Sequence, residues 1–536
     1  MSGVTGVQKQ SFLKRLARTK NLDNILADAE NQEHKLKKTL SAFDLVIFGV
    51  GAMIGAGIFV LTGAAAAGSP THLAAGPALT LSFVLTGTVC AFCALCYSEF
   101  ASMAPISGSA YTYTFSTLGE FVAWIIGWAL VLEYAVGNMA VAVGWTGTIK
   151  EFLLHTFNIT MPAALTGNTL ETVHQLKDAN PDILVKAIPF TIPFTSTHEF
   201  LLVQSAFNLP AALAVLAITV LLVVGVSESA KMTAVMVFIK TSVVLFFIAA
   251  AGVFLFGGNM NVLETNWFAD GWNSFAPNGM EGIVTGASLI FFAYIGFDAV
   301  SCAAEETKNP SRDIPIGIIG SLAICTVLYI LVTAAITGIV PLDQINKEAA
   351  VVGAMYTMGF GWAGAFISIG AIAGLTSVLL VLQMAGTRIF YAISRDGLLP
   401  KMLSKVHPKF QTPHICTVLV GVFVALGSGL LPITLLAEMC NIGTLAAFLV
   451  VCLGVAILRF TDPDRKRPFK APGGLLIPAL GIAGCAFVMS GLPATTWVVT
   501  IGWFVLGMAL YFGYGFWNSN LNEDNNNDMS DGLPAQ

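Results

Sequence analysis

The chain has 536 residues, 56% of them hydrophobic and 11% charged, with a mean hydropathy of +0.78 and a formal net charge of −5. This composition excludes a soluble globular domain and describes a polytopic membrane protein. The net charge says little about partners, because the acidic run Glu523, Asp524, Asp528 and Asp531 supplies much of it.

The first forty residues are polar. They carry an amphipathic pattern (Phe12, Leu13 and Leu16, then Leu22, Ile25 and Leu26) that predicts a helix on the inner membrane surface or free in the cytoplasm. No cleavable signal peptide is evident. Twelve apolar segments follow, at 43–66, 77–103, 121–149, 200–225, 230–257, 281–303, 314–340, 362–387, 413–431, 433–458, 475–492 and 495–517. Each is near the ~20 residues that a bilayer requires. The expected architecture is an all-α integral membrane protein of 12 transmembrane helices. Its parts are a cytoplasmic arm over 1–40, a ten-helix core over 41–460, two peripheral helices over 461–517 and a disordered acidic tail over 518–536.

An even number of spans puts both termini on one side. If that side is the cytoplasm, twenty-one of the 26 Lys and Arg residues fall inside. Only Lys150, Lys177, Lys186 and Lys347 fall outside, and Lys240 lies within a span. The asymmetry predicts cytoplasmic termini in a cell or plasma membrane. The segment 150–199 is then the longest outer connection and contains the sequon Asn158-Ile159-Thr160.

Segment one holds Gly49, Gly51, Gly55 and Gly57 within nine residues, which is poor for a continuous helix. Segment six holds Phe291 to Asp298 with Gly296 inside it. One and six correspond if the first ten spans form two five-span halves. Five is odd, so the second half enters from the opposite side, giving an inverted repeat with two broken helices. The alternative is glycine used for close helix packing.

A helix broken at mid-membrane offers free N–H groups where its second half starts and free carbonyls where its first half ends. Such ends suit the carboxylate and the ammonium of an α-amino acid. The N–H groups of Ala56, Gly57 and Ile58 are candidates for the carboxylate. The carbonyls of Met53 or Ile54, and of Phe292, Ala293 and Ile295, are candidates for the ammonium. Phe292 is either an aromatic lid or a packing residue.

Lys240 sits about ten residues from either end of the fifth segment. An ammonium there costs roughly 2.5–3.5 kcal/mol on insertion scales. It is tolerable if it faces a cavity, finds carbonyl partners or sheds its proton, and each points to ion or proton handling. Glu133, inside segment three, is a candidate to bind substrate, relay a proton or bond a neighbouring helix. Asp298 reads as a cap on the second half of segment six. Thr376 and Ser377 either face Lys240 or bond their own backbone. Cys90, Cys93 and Cys96 read as small apolar residues on one helix face. No metal or cofactor site is expected, and no catalytic cluster suggests an enzyme.

Further motifs carry a resemblance. They are His34 to Leu40, Phe43-Asp44-Leu45, Gly55 to Gly63, Leu132-Glu133-Tyr134, Phe291 to Asp298 with Glu305 to Pro310, Arg388 to Ala392 with Ser394 to Pro400, and Asn441 to Leu445. Together they resemble the amino acid–polyamine–organocation superfamily, most closely the bacterial branch of the cationic amino acid transporter family. The resemblance implies the five-plus-five inverted-repeat core. It also implies that Lys240 takes the place of a sodium ion used by sodium-coupled cousins, close to the carbonyls of Gly51 and Ile54, with proton loss and gain replacing sodium. Ala56 departs from relatives with Ser or Thr there, which leaves the backbone N–H to hold the carboxylate. The expected function is proton-coupled symport of an amino acid by alternating access, with an exchanger or a cationic amino acid facilitator as the alternative. A channel, a membrane enzyme and a receptor fit less well. The apolar Met53, Ile54, Phe292, Leu375 and Val378 lean towards a neutral substrate.

Overall fold

The computed structural model describes residues 16, 18–19, 40–69, 72–103, 109–168, 170–172, 185–190, 198–203, 207–224, 230–410 and 412–521. Most of the N-terminal arm and the tail beyond residue 521 lie outside these residues.

The first membrane helix opens on a capping box. Ser41 N–H donates to Asp44 Oδ2 (2.8 Å), and Asp44 N–H donates to Ser41 Oγ (3.4 Å). The helix runs over Ala42–Met53 and stops where Ile54 turns extended (ψ 98°). A wider helical turn over Gly57–Leu61 restarts it, and Thr62–Ala67 completes it at a 43° bend. Gly68, at φ +76°, ends this second half in a conformation that favours glycine.

Eight further helices among the described residues are long and apolar enough to cross a membrane, in addition to this bent pair. Three shorter apolar helices are Leu209–Val224, His414–Leu430 and Leu476–Ser490. The connection before Leu209 differs from the expected uninterrupted apolar start at 200. There, β1 (Leu170–Thr172), β2 (Val185–Phe190) and β3 (His198–Val203) form a small antiparallel sheet in the order β1-β3-β2. Residues 200–203 pair in that sheet, and the helix begins only after Asn208, whose Oδ1 accepts from Ala211 N–H (3.2 Å). Pro210 then occupies the first turn, where its missing N–H costs nothing.

Glu120–Phe157, at 38 residues, is the central post of the fold. It packs most extensively against Gly361–Arg395 and Ile433–Thr461. A second group places Pro310–Ile339 against Leu79–Met103 and Ala42–Met53. Large apolar side chains such as Leu213, Val220, Phe238, Val253 and Val327 are exposed on the perimeter, as expected of a lipid-facing surface. Arg18 and Ser519, near the two ends of the chain, meet at Glu120. Arg18 carbonyl accepts from Glu120 N–H (2.8 Å), and Ser519 Oγ–H donates to Glu120 Oε2 (2.6 Å).

Two clamps join helices at their ends. Burial lowers His72 to about 4, so its ring is neutral near pH 7, and it lies 3.2 Å from Glu438 on Ile433–Thr461. At the opposite end, Glu99 is fully buried beneath Arg459 and Arg467. Arg459 Nε donates to Glu99 Oε1 (3.2 Å), and Ala471 N–H donates to Oε2 (2.8 Å). The cysteines also gather beyond one helix face. Cys93 Sγ lies 3.4 Å from Cys485 Sγ and 3.9 Å from Cys452 Sγ, so three helices share one buried thiol cluster.

Removing Glu99 would leave two guanidiniums without their carboxylate. Breaking a buried ion pair at one partner costs about 3–5 kcal/mol. Glu99→Ala should therefore lower the thermal unfolding temperature of the purified protein sharply, and an unchanged transition would refute this account of the clamp.

Candidate functional site

The two interrupted segments meet. The second interruption begins as Gly279–Ile290 tightens into a narrower turn over Phe291–Tyr294. Ile295 then goes extended (ψ 130°), and Gly296 adopts φ +118°. A Cβ on Gly57 would stand 2.3 Å from Ala293 Cα, and one on Gly296 would stand 2.9 Å from Ala52 Cβ. The two breaks thus cross in opposite directions at contact distance. Only glycine permits this approach, and at Gly296 the backbone angle demands it as well.

Between them lies a small cavity of about 20 Å³. Of the sequence-predicted residues, Met53, Ala56, Gly57, Glu133, Phe292 and Ile295 line it. Ile54, Ile58 and Ala293 are buried without lining it, as is Leu375, whereas Val378 lines it. The sequence reading missed Gly137, Val141, Leu382 and Cys440 on its far wall. Gly137 stands four residues, about one helical turn, after Glu133 on the same helix, which is the signal that could have found it.

The backbone groups at the first break are partly engaged. Tyr329 O–H donates to the Met53 carbonyl (2.7 Å), and Ile54 N–H donates to the Val50 carbonyl (3.0 Å). The N–H groups at the start of the second half-helix have no preceding turn to bond within their own helix. Glu133 is fully buried, and neither carboxylate oxygen has a hydrogen-bond partner among the described residues. The nearby Thr444 O–H donates to the Cys440 carbonyl instead (3.0 Å). Asp298 does not cap the helix that follows it. Its Oδ1 accepts from Gly296 N–H (3.3 Å) and its Oδ2 from Tyr134 O–H (3.3 Å), so it holds the break rather than the helix end.

Lys240 is 1% exposed, and its ammonium donates to the Gly51 carbonyl in the last turn before the first break. It lines a second small cavity with Gly51, Ala52 and Ser377. Ala52 lines both cavities and is the wall they share. A Cβ on Gly374 would come within 3.2 Å of Lys240 Cβ, so the glycine gives the lysine its room. Ser377 O–H donates to the Gly374 carbonyl (2.9 Å) and Thr376 O–H to the Ile372 carbonyl (2.7 Å). Both therefore bond their own helix. Thr376 Oγ1 also accepts from Trp145 Nε1–H (2.9 Å).

The whole helical region has close counterparts. The family model described as "Amino acid permease" matches residues 40–518. The branched-chain amino acid permease BcaP of Bacillus subtilis is 43% identical over 94% of this chain and 99% of its own length. The methylthioribose transporter of the same organism is 40% identical over 95% of this chain and 100% of its own length. The vacuolar cationic amino acid transporter 4 of Arabidopsis thaliana is 36% identical over 84% of this chain and 68% of its own length. With crossed helix breaks at its centre and a family match over nearly its full length, the chain belongs to the amino acid permease family, a family of membrane transporters.

Proposed function

We propose that this protein is a proton-coupled secondary transporter of neutral amino acids with apolar side chains, working by alternating access. The observation that carries this reading is the buried Lys240 ammonium on the Gly51 carbonyl, one wall away from the cavity at the helix breaks. Protonated, the lysine holds the end of the first half-helix. On losing its proton it becomes a neutral amine that holds that carbonyl more weakly, and the break relaxes.

The substrate carboxylate would meet the free N–H groups of Ala56, Gly57 and Ile58. The carbonyls of Ile54, Phe292, Ala293 and Ile295, with Met53 on its remaining lone pair, would face the ammonium. Glu133 would accept the ammonium or pass on its proton. The lining supports a neutral side chain, since Met53, Val141, Phe292, Ile295, Val378 and Leu382 are all apolar. The printed name of the branched-chain relative points the same way. A cationic substrate is the second reading, favoured by the unpartnered Glu133 carboxylate and by the cationic transporters among the relatives.

The architecture is read as twelve spans in one membrane, with both termini cytoplasmic. The bent pair, the eight long helices and the three short apolar helices support that count. The crossing of the first and sixth segments supports two inverted halves over 41–460, with 461–517 outside them. The distribution of Lys and Arg supports the orientation.

Three outcomes are expected. Sodium-free proteoliposomes with an acid exterior should accumulate labelled L-leucine, and excess L-arginine should not compete; competition by arginine would move the substrate to the cationic class. Lys240→Ala should lose accumulation driven by the pH gradient while retaining leucine exchange. Gradient-driven uptake at the wild-type rate in that variant would sink the coupling role. Gly57→Ala pushes a methyl group into Ala293, and such overpacking costs about 1–3 kcal/mol. That variant should melt earlier and lose leucine binding in calorimetry, and unchanged affinity would refute the placement of the site.

A further inference from the structure

A larger cavity, about 100 Å³, lies beyond the first one. Its walls come from the second half-helix (Val60, Ala64), the far part of Glu120–Phe157 (Gly144, Lys150), the segment at Lys347 and Glu348, and the start of Ile433–Thr461. Lys150 is thirty residues, or roughly 45 Å at 1.5 Å per residue, from the Glu120 end where Arg18 and Ser519 meet. On the proposed orientation this cavity is therefore on the outer side.

Its charged groups are two lysines and one acid. Lys150 Nζ lies 2.7 Å from Glu348 Oε2, with both side chains part-exposed. Asn346 Oδ1 accepts from the N–H groups of Glu348 and Ala349 (both 2.9 Å), which fixes the turn that presents the acid. Lys347 lines the cavity, is exposed and has no ion-pair partner among the described residues. Asn168 also lines it, and its Oδ1 is buried with no hydrogen-bond partner among those residues. The cavity thus presents two ammonium groups, one carboxylate and a free amide oxygen within one concave surface. A net positive site with one acid fits a group that carries an anion and a cation one atom apart.

Its floor is thin. A Cβ on Gly144 would stand 3.0 Å from Val60 Cγ2 and 3.6 Å from Ala56 Cβ. Gly144 and Val60 line the outer cavity, and Ala56 lines the inner one. One side-chain layer separates the two.

We propose that the outer cavity is a second amino acid site, which holds the substrate zwitterion before it passes to the pocket between the helix breaks. The α-carboxylate lies on Lys347 and Lys150. The α-ammonium lies on Glu348 and the Asn168 amide oxygen. This inference rests on the reading of the protein as an amino acid transporter. It assigns the first contact of substrate to Lys150, Asn168, Lys347 and Glu348, outside the helix breaks.

Equilibrium binding of labelled L-leucine to the purified full chain tests it, with uptake measured in parallel. The wild type should bind two leucines per chain. Gly137→Val, which fills the inner cavity against Cys440 and Leu382, should bind one. Lys347→Ala combined with Glu348→Ala should also bind one in the otherwise wild-type chain, and should raise the KM of uptake several-fold. Adding both changes to Gly137→Val should leave none. A wild-type stoichiometry of one that Lys347→Ala and Glu348→Ala leave unaltered, with uptake intact, would overturn the outer site and leave the transport reading standing. No binding and no uptake by the wild type would overturn the neutral amino acid reading itself, and the outer site with it. The double variant at 347 and 348 needs no change inside the helix bundle, so the test holds even if Gly137→Val does not fold.

Discussion

Everything central in this fold follows from the cost of unpaired backbone groups away from water. An open helix end in a bilayer core is tolerable only where protein or a wet cavity meets it. Here two open ends meet each other. Gly57 lies against Ala293 and Gly296 against Ala52, close enough that a single methyl group on either glycine would force the two segments apart. What the crossing leaves over is taken by side chains: Tyr329 and Lys240, from other helices, on the Met53 and Gly51 carbonyls, and Asp298, two residues on in the same segment, on the Gly296 N–H. The helices around the crossing serve as its insulation.

That arrangement ties charge to shape. Lys240 and the cavity at the breaks sit on opposite sides of the same three residues, Gly51-Ala52-Met53. On the proposed reading, a change at the lysine acts through the Gly51 carbonyl on the last helical turn before Ile54, and no longer path is needed. Tyr329 grips the same turn from Pro310–Ile339, which also packs along the whole first half-helix. On the proposed reading the first half-helix and Pro310–Ile339 respond as one body, while the second half-helix is free to pivot at Ile54 and Gly55.

The sequence made the breaks legible because glycine leaves a chemical signature: four glycines in nine residues cannot be good helix, and a lysine in hydrocarbon cannot be idle. It made Glu133 legible for the same reason. It could not supply Gly137, Val141, Leu382 and Cys440 as wall residues, because which face of a uniformly apolar helix turns inward depends on its neighbours. Nor could it supply the Glu99 clamp, whose partners Arg459, Arg467 and Ala471 lie some 360 to 372 positions away. Asp298 looked like a helix cap because caps are local and common. In the structure the adjacent Gly296 N–H and the Tyr134 hydroxyl claim it first. The apolar run at 200–203 read as membrane because hydropathy alone does not separate a strand from the start of a span.

The sizes of the two cavities bear on which element must move. A single water needs about 10–15 Å³ of such space. The cavity at the breaks, about 20 Å³, therefore has room for about one water and holds no amino acid without widening. The walls contributed by Glu120–Phe157 and Gly361–Arg395 belong to long, unbroken helices that pack on one another along their lengths. The wall contributed by Gly57–Leu61 belongs to a short half-helix that opens at a break and closes at Gly68 with positive φ. The same half-helix supplies Val60 and Ala64 to the outer cavity. On the proposed reading, a swing of this one element enlarges the inner cavity and merges it with the outer one across Gly144. Its two ends, at Ile54 and Gly68, already depart from a helix, so such a swing bends the chain where the helical bonding is already interrupted.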